Sequence, residues 1–181
     1  MGSPEPDGQR PRPSLLGWFR VSHWRWFIPL VVLLYALGLN NYWRVSRDSA
    51  LYLSLGRSLA EGTGYTFNHK PHKMVLPGFP VMIAGAMRLT GTDCVPDRML
   101  LINVMMTLCG LACIGVSYLL LKELGLRRRA LFAGVMMVGL SRELYFYSHM
   151  ALTDVPFALL VLFGLYAALR MLRADGRPFW M

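Results

Sequence analysis

Long uninterrupted apolar runs dominate the hydrophobic pattern of this chain. The longest extends from Met99 to Leu121, and its 23 residues include no charged side chain. A helix of that length measures about 35 Å at 1.5 Å per residue, which exceeds the roughly 30 Å hydrocarbon core of a bilayer. A second run, over 26–43, carries aromatic residues at both ends, as membrane-crossing helices commonly do. The pattern predicts a transmembrane helix over each run.

The first of these runs in chain order, 26–43, would also suit a cleaved signal peptide. The segment before it is long, however, and no small-residue cleavage pattern follows it, since the chain there reads Asn40-Asn41-Tyr42-Trp43. We therefore interpret the run as a retained membrane anchor.

Two later apolar runs, over 130–140 and 155–169, are shorter. Their 11 and 15 residues would cover only about 16 and 22 Å as helices. We predict that the helices extend to 129–147 and 152–172, which places Asp154 and other polar residues at the lipid boundary. A shallow hairpin supported by other protein is the alternative.

The long segment 44–98, between the first two spans, has a pattern of its own. Apolar residues at three- and four-residue spacing predict a helix from Ser49 to Glu61, which Gly62 ends. The run 77–89 is apolar but too short to cross a bilayer, so it predicts an interfacial or re-entrant helix. The stretch between the two helices is rich in proline and is predicted to be irregular.

The predicted fold class is therefore an all-α polytopic membrane protein, with about four transmembrane helices and an extracytoplasmic loop that carries interfacial helices. Composition agrees with this class, because 55% of the residues are hydrophobic and only 16% are charged. The net charge of +9 would suit a nucleic-acid-binding protein. The basic residues cluster beside the apolar runs, however, and not in a separate basic domain, so we expect no nucleic-acid partner.

Basic clusters favour the cytoplasmic ends of membrane helices. Their placement predicts a multi-pass protein of the inner (plasma) membrane with a cytoplasmic N terminus, a disordered basic tail over 1–20 and a C-terminal stub over 176–181. The clusters predicted to lie on the cytoplasmic side are Arg10, Arg12, Arg20 and Arg25, then Lys122 and Arg127 to Arg129, then Arg170, Arg173 and Arg177.

Two aspartates begin predicted helices on the opposite, non-cytoplasmic side. Asp48 starts the loop helix and Asp154 starts the fourth span. A carboxylate near a bilayer is costly and often functional. Capping is the alternative, since an aspartate at a helix N-cap contributes about 1 kcal/mol. Tyr52 lies one turn after Asp48, so a phenol and a carboxylate project from one helix face, although packing would also explain an aromatic residue there.

Several short motifs follow one another after the first span. In chain order they are Asp48-x-x-x-Tyr52, Gly56-Arg57-Ser58-Leu59-Ala60-Glu61-Gly62, Leu76-Pro77-Gly78-Phe79-Pro80, Tyr147-Ser148 and Thr153-Asp154-Val155-Pro156-Phe157. Their order and spacing resemble the N-terminal part of GT-C glycosyltransferases, in the branch similar to protein O-mannosyltransferases and lipid A aminoarabinose transferases. The resemblance covers about Trp26 to Arg173, and implies a partial GT-C fold over 21–175.

The resemblance implies an enzyme that transfers a sugar, with inversion, from a polyprenyl-phosphate donor to an extracytoplasmic acceptor. It implies that Asp48 is the general base on the acceptor hydroxyl. It also implies that Asp154 helps to hold the acceptor or a divalent cation. No other cofactor is expected.

A positive group must meet the charge that grows on the leaving phosphate. Lys70, Lys73 and Arg57 are the predicted phosphate ligands, and Tyr52 and His72 are predicted to position the substrate. A solvated surface loop is the alternative for the two lysines and for His72. No metal-ligand spacing surrounds the cysteines, so no protein metal site is predicted.

Members of this family contain many more spans than four. The expected partners are therefore the donor lipid, the bilayer, and either missing C-terminal helices or another membrane subunit. A protein of another class stays open as well. A small non-catalytic membrane interaction subunit, or a transporter-like protein, would also carry polar groups within about four spans.

Overall fold

The structure is a computed structural model that describes residues 23–42, 44, 46–90 and 99–174. This part of the chain is mostly helical, which confirms the predicted all-α class. The predicted tail 1–20 and stub 176–181 lie outside the described residues. The elements are α1 (His23–Leu37), α2 (Arg47–Ala60), β1 (Thr66–Phe67), β2 (Lys70–Pro71), α3 (Gly78–Thr90), α4 (Met99–Glu123), α5 (Arg128–Gly139), α6 (Arg142–Tyr147) and α7 (Asp154–Ala174).

The longest of these helices is α4, and other elements pack along it. It has 25 residues, nearly all apolar. Gly125 ends the helix in a left-handed conformation with φ of 76°. The Leu126 amide then donates to the Leu121 carbonyl at 3.4 Å, the hydrogen bond of a Schellman motif. The helix predicted over 99–121 is confirmed.

Two hydrophobic cores divide α4 between them. The first lies on its N-terminal half and includes the buried side chains of Ile83 from α3, Ile102 and Met106. The second lies on the C-terminal half, where Val31 from α1 and Val135 from α5 are buried. The elements of the loop therefore pack at one end of α4, and α1 and α5 pack at the other.

The structure confirms helices at both predicted loop positions, α2 and α3, and they run parallel to each other. Their location at the membrane interface stays a prediction. The Tyr52 ring meets the Phe79 ring edge-on at 5.3 Å near their starts, and Arg88 donates to the Leu59 carbonyl at 3.0 Å near their ends. Gly56 lies against Ile83 so closely that a β-carbon would approach its side chain to 2.5 Å. Because the helices are parallel, the chain between them has to return along the length of α2.

The first predicted span ends earlier than its apolar pattern indicated. The helix stops at Leu37, whereas the prediction extended it to residue 43. Gly38 lies directly against the His149 ring, where no side chain would fit. The chain then leaves the helix and runs beside the start of α4, where Asn103 donates to the Asn40 carbonyl at 2.8 Å. The described helix has 15 residues, so it covers about 22 Å and not a full bilayer core.

The third predicted span, over 129–147, is not one helix. Its first part, α5, ends at Gly139, and α6 begins at Arg142. Ser141 is the N-cap of α6, and its hydroxyl accepts a hydrogen bond from the Leu144 amide at 3.4 Å. A capping residue inside the predicted run therefore fixes the break.

The fourth predicted span is confirmed as a helix, and it is longer than its uninterrupted apolar run. α7 extends over 21 residues because its last turns include Arg170 and Arg173, which pair with Glu123 of α4 at 3.3 and 2.8 Å. Near its start, the Cys113 thiol lies 3.7 Å from the Val155 carbonyl. The two helices are therefore parallel, and α7 begins level with the middle of α4.

Lys122, Arg128, Arg170 and Arg173 collect at one end of the bundle, here called the basic end. The C termini of α4 and α7 meet there through Glu123, and α5 begins directly after the turn that follows α4. Two of the basic clusters predicted to share one side of the membrane therefore do share one end of the fold. Their cytoplasmic location stays a prediction.

Within the described part, two helices have the length and apolar composition of membrane spans, Met99–Glu123 and Asp154–Arg173. In the second, only 11% of the most apolar window is buried, and Phe157, Leu160 and Phe163 lie exposed. Exposed apolar surfaces of this extent are uncommon on soluble monomers. These features support a membrane location, while the number of spans and their orientation stay predictions.

A polar node formed by Gly110, Ser148 and His149 joins three elements near the middle of α4. The Ser148 side chain fills the space that a β-carbon at Gly110 would occupy. The buried His149 ring has one nitrogen 2.7 Å from the Tyr145 carbonyl and the other 3.0 Å from the Tyr35 carbonyl. The node therefore fixes α1 and the link between α6 and α7 against α4.

Candidate functional site

Asp48 lies exposed in the first turn of α2, and it is not the residue that caps this helix. Ser46 is the N-cap, and its hydroxyl accepts from the Ser49 amide at 3.1 Å. The Ser49 hydroxyl in turn accepts from the Ser46 amide at 2.9 Å, which completes a capping box. The capping interpretation of Asp48 is therefore wrong. Its carboxylate is left open to a substrate, and the positive end of the helix dipole stabilises its charge.

Asp154 is the first residue of α7 and is also exposed. The residue before it, Thr153, has its hydroxyl 3.4 Å from the Tyr52 hydroxyl, and this pair is here called the Tyr52–Thr153 contact. Because Tyr52 lies one turn after Asp48, the contact brings the first turns of α2 and α7 together. The next residue, Val155, has its side chain buried in the first core. The Asp154 carboxylate therefore lies at the edge of that core.

The stretch predicted to be irregular contains a short antiparallel hairpin. Asn68 and His69 form its turn with φ of 50° and 61°, and two residues of positive φ in that position are typical of a type I′ turn. Pro71 is tolerated because it faces Thr66 in a sheet of only two strands. The Ser58 hydroxyl lies 2.6 Å from the Thr66 hydroxyl, which fixes the hairpin against the C-terminal part of α2.

Lys70 lies on this hairpin, and Lys73 lies on the segment that returns from it toward Phe79. Both side chains are exposed, and within the described part of the chain neither pairs with an acid. The Tyr65 hydroxyl donates to the Val75 carbonyl at 2.9 Å and holds the returning segment. Burial raises the pKa of this phenol, so it stays a donor. The lysines are therefore free cations on an ordered support, but no contact joins them to either aspartate.

The other two residues predicted from the loop are less open to a substrate. Arg57 forms an ion pair with Glu61 at 2.6 Å, one turn along α2. The His72 ring is half-buried between the rings of Tyr65 and Phe67, with centroids 6.0 and 6.2 Å away. Its Nε2 atom is buried and has no hydrogen-bond partner among the described residues. The roles assigned to Arg57 and His72 stay predictions.

Arg44 is a further candidate site residue that was not predicted from the sequence. Its guanidinium lies 5.6 Å from the centre of the Phe146 ring in α6, within the range of a cation–π contact. Arg44 precedes Asp48 by four residues, and α6 leads through the polar node to Asp154. This arginine therefore connects the segment that precedes α2 to α6. No local sequence pattern indicates the contact, because its two residues lie far apart in the chain.

Among the residues that the structure describes, no group of three or more histidine, cysteine, aspartate or glutamate side chains forms a metal site. A divalent cation at Asp154 would need further ligands from water or the substrate, and its presence stays a prediction.

Comparison with known proteins adds no family assignment. No protein-family model, no curated protein and no solved structure matches the chain. The functional assignment therefore rests on the residues, their geometry and the ordered motifs.

Proposed function

We propose that this protein is a membrane glycosyltransferase of the GT-C type, or a part of one. It would transfer a sugar from a polyprenyl-phosphate donor to an acceptor hydroxyl on the non-cytoplasmic side of the plasma membrane, with inversion. The Tyr52–Thr153 contact is the observation that carries the proposal, because it brings together two helix starts that each present an exposed carboxylate. A single displacement needs a carboxylate beside an open substrate space.

The two acids have different roles in the proposed chemistry, one in proton removal and the other in acceptor binding. Asp48 takes the proton of the acceptor hydroxyl while the oxygen of that hydroxyl forms a bond to the anomeric carbon. The bond from that carbon to the phosphate oxygen breaks on the opposite face of the sugar, and the lipid phosphate leaves with the electron pair. Asp154 holds the acceptor, directly or through a divalent cation, and Tyr52 positions it. Asp48 suits the role of base because Ser46 already caps its helix.

The leaving phosphate gains charge that positive groups have to meet. Lys70 and Lys73 suit this role because they are exposed and unpaired within the described part of the chain. Arg44 is added as a third candidate because it precedes Asp48 by four residues and its guanidinium lies over the Phe146 ring of α6. Arg57 is the weakest candidate, since Glu61 already pairs with it.

Replacing both Lys70 and Lys73 with glutamine is expected to raise the KM for the donor lipid about tenfold, because charge-assisted hydrogen bonds to the phosphate are lost. The measurement is initial transfer rate against donor concentration. Lys122→Gln is the control, since Lys122 lies at the basic end on the other side of the bundle. An unchanged KM in the double variant, with a raised KM in Arg44→Gln, would assign the phosphate to Arg44 instead.

The direct test reconstitutes the chain in vesicles that contain a polyprenyl-phosphate sugar with a radioactive label on the sugar. A membrane extract supplies acceptors, and label is followed from the donor lipid into acceptor fractions. We expect transfer that depends on the chain. Complete retention of label in the donor lipid, with the chain inserted, would contradict the proposal that this chain transfers the sugar without further helices.

A non-catalytic membrane interaction subunit is the second candidate function. The apolar side of α7 would be its docking surface, because that side is not covered by any described part of this chain. Such a subunit would show no transfer in the vesicle test, and it would crosslink to one defined membrane protein through α7.

A further inference from the structure

An apolar groove of about 640 Å³ opens between α1, α4 and α5, on the C-terminal half of α4. Aliphatic and aromatic side chains such as Val31, Leu111 and Val135 form its walls. Its volume lies within the range of small-molecule sites, roughly 300–1,000 Å³. The groove is separate from the candidate site, because the two aspartates belong to elements that pack on the first core.

One edge of the groove carries positive charge. Arg128 lines it and is the first residue of α5. Because α5 begins at Arg128, the positive end of the helix dipole lies at the same edge. The N-cap residue, Arg127, makes no side-chain capping hydrogen bond. Glu123, the acid that ends the preceding helix, is already engaged by two arginines of α7. Within the described part of the chain, no acid neutralises Arg128.

We propose that this groove binds one acyl chain of an anionic phospholipid, with the lipid phosphate against Arg128. A cation at the mouth of an apolar channel matches an amphiphile that has a negative head and a hydrocarbon tail. A neutral or zwitterionic lipid would contact the groove walls equally well, but its headgroup would be attracted less strongly to Arg128. The proposal requires the membrane location and is independent of the glycosyltransferase activity.

Trp24 and Trp26 provide two reporters with different surroundings. Trp24 lines the groove, with its ring 4.9 Å from that of Phe132, whereas Trp26 is 76% exposed on the outer side of α1. Two full-length variants would each retain one of these tryptophans, with every other tryptophan replaced by phenylalanine. Each is placed in vesicles that contain acyl-brominated phosphatidylglycerol or acyl-brominated phosphatidylcholine, and quenching of fluorescence reports contact with the brominated chain.

Two matched pairs of variants test the groove. Arg128→Gln removes the lining charge, and Arg129→Gln removes an equal charge beside it that does not line the groove. Gly115→Leu fills the groove, because a β-carbon at Gly115 meets nothing within 4 Å. Gly164→Leu places the same side chain in open space on α7.

We expect brominated phosphatidylglycerol to occupy the site seen by Trp24 at a concentration about fivefold lower than brominated phosphatidylcholine, the preference that one basic residue near an anionic lipid supplies. Arg128→Gln should remove this preference, and Arg129→Gln should keep it. Gly115→Leu should reduce quenching of Trp24 by both lipids, and Gly164→Leu should not. Trp26 should be quenched equally by both lipids in every variant.

Equal quenching of Trp24 by the two lipids would overturn the proposal, and so would quenching that Gly115→Leu leaves unchanged. Quenching of Trp26 without quenching of Trp24 would also overturn it while leaving the membrane location intact. Soluble glycerol phosphate distinguishes the headgroup from the whole lipid. If millimolar glycerol phosphate abolished the preference, a free anion site would replace the proposed lipid site.

Discussion

Replacing Asp48 with asparagine is expected to lower sugar transfer by about 10²- to 10⁴-fold, the contribution of a positioned general base. Asparagine has the size of aspartate but cannot accept the proton of the acceptor hydroxyl. The helix should remain folded, because Ser46 and Ser49 form the capping box and Asp48 takes no part in it. Initial rates of transfer from the labelled donor, measured at saturating donor, give the effect on kcat.

Glu143→Gln is the matched control for this variant. Glu143 is also an exposed acid in the first turn of a helix, α6, and no predicted role attaches to it. We expect its activity to equal that of the unchanged chain. Asp154→Asn should lower acceptor affinity more than kcat. If Asp48→Asn and Glu143→Gln transferred sugar equally well, Asp48 would not be the base, and the proposed mechanism would lose its central residue.

The helices that were predicted well are those whose ends are determined by residues close by in the sequence. α4 follows from an uncharged run and from Gly125, which only needs the chain around it to end the helix. α1 and α5 were predicted poorly because tertiary contacts set their limits. At the turn after Leu37, Gly38 packs directly against the ring of His149, which lies more than a hundred residues away in the chain. An apolar pattern carries no information about such a partner.

The candidate site shows the same division between local and distant information. The Ser46–Ser49 capping box is a local pattern, and the spacing of its two serines is enough to favour Ser46 over Asp48 as the N-cap. The Tyr52–Thr153 contact and the cation–π contact of Arg44 join residues about a hundred positions apart. Both depend on how the helices pack in three dimensions, so the positions of the acids at helix starts were predictable and their distant neighbours were not.

The parallel course of α4 and α7 explains why the acids are accessible. Since α7 begins beside Cys113 and not at the start of α4, the N-terminal half of α4 is left for α2 and α3 to cover. This arrangement requires the link between α6 and α7 to be held against α4 at the polar node.

Replacing Gly110 of the polar node with alanine is expected to destabilise the protein. A methyl group at Gly110 would overlap the Ser148 hydroxyl and lie 3.3 Å from the Tyr35 ring. Overpacking of this kind costs about 1–3 kcal/mol, although alanine is the better helix former. Gly115→Ala is the control on the same helix. Its β-carbon meets nothing within 4 Å, so it should be neutral or stabilise by about 0.5–1 kcal/mol.

A double-mutant cycle between Gly110 and Ser148 separates this overlap from a general loss of stability. Ser148→Gly alone should destabilise, because it removes the hydroxyl that donates to the Leu144 carbonyl at 2.6 Å. In the double variant the new methyl group occupies the space that Ser148 vacates, so the free energy of unfolding should exceed the additive expectation by about 1–2 kcal/mol. Unfolding in detergent micelles, followed by far-ultraviolet circular dichroism, measures all four proteins. Strict additivity would show that α4 and the α6–α7 link do not meet at the node, and α1 and the link that leads to Asp154 would then have to be held against α4 by other contacts.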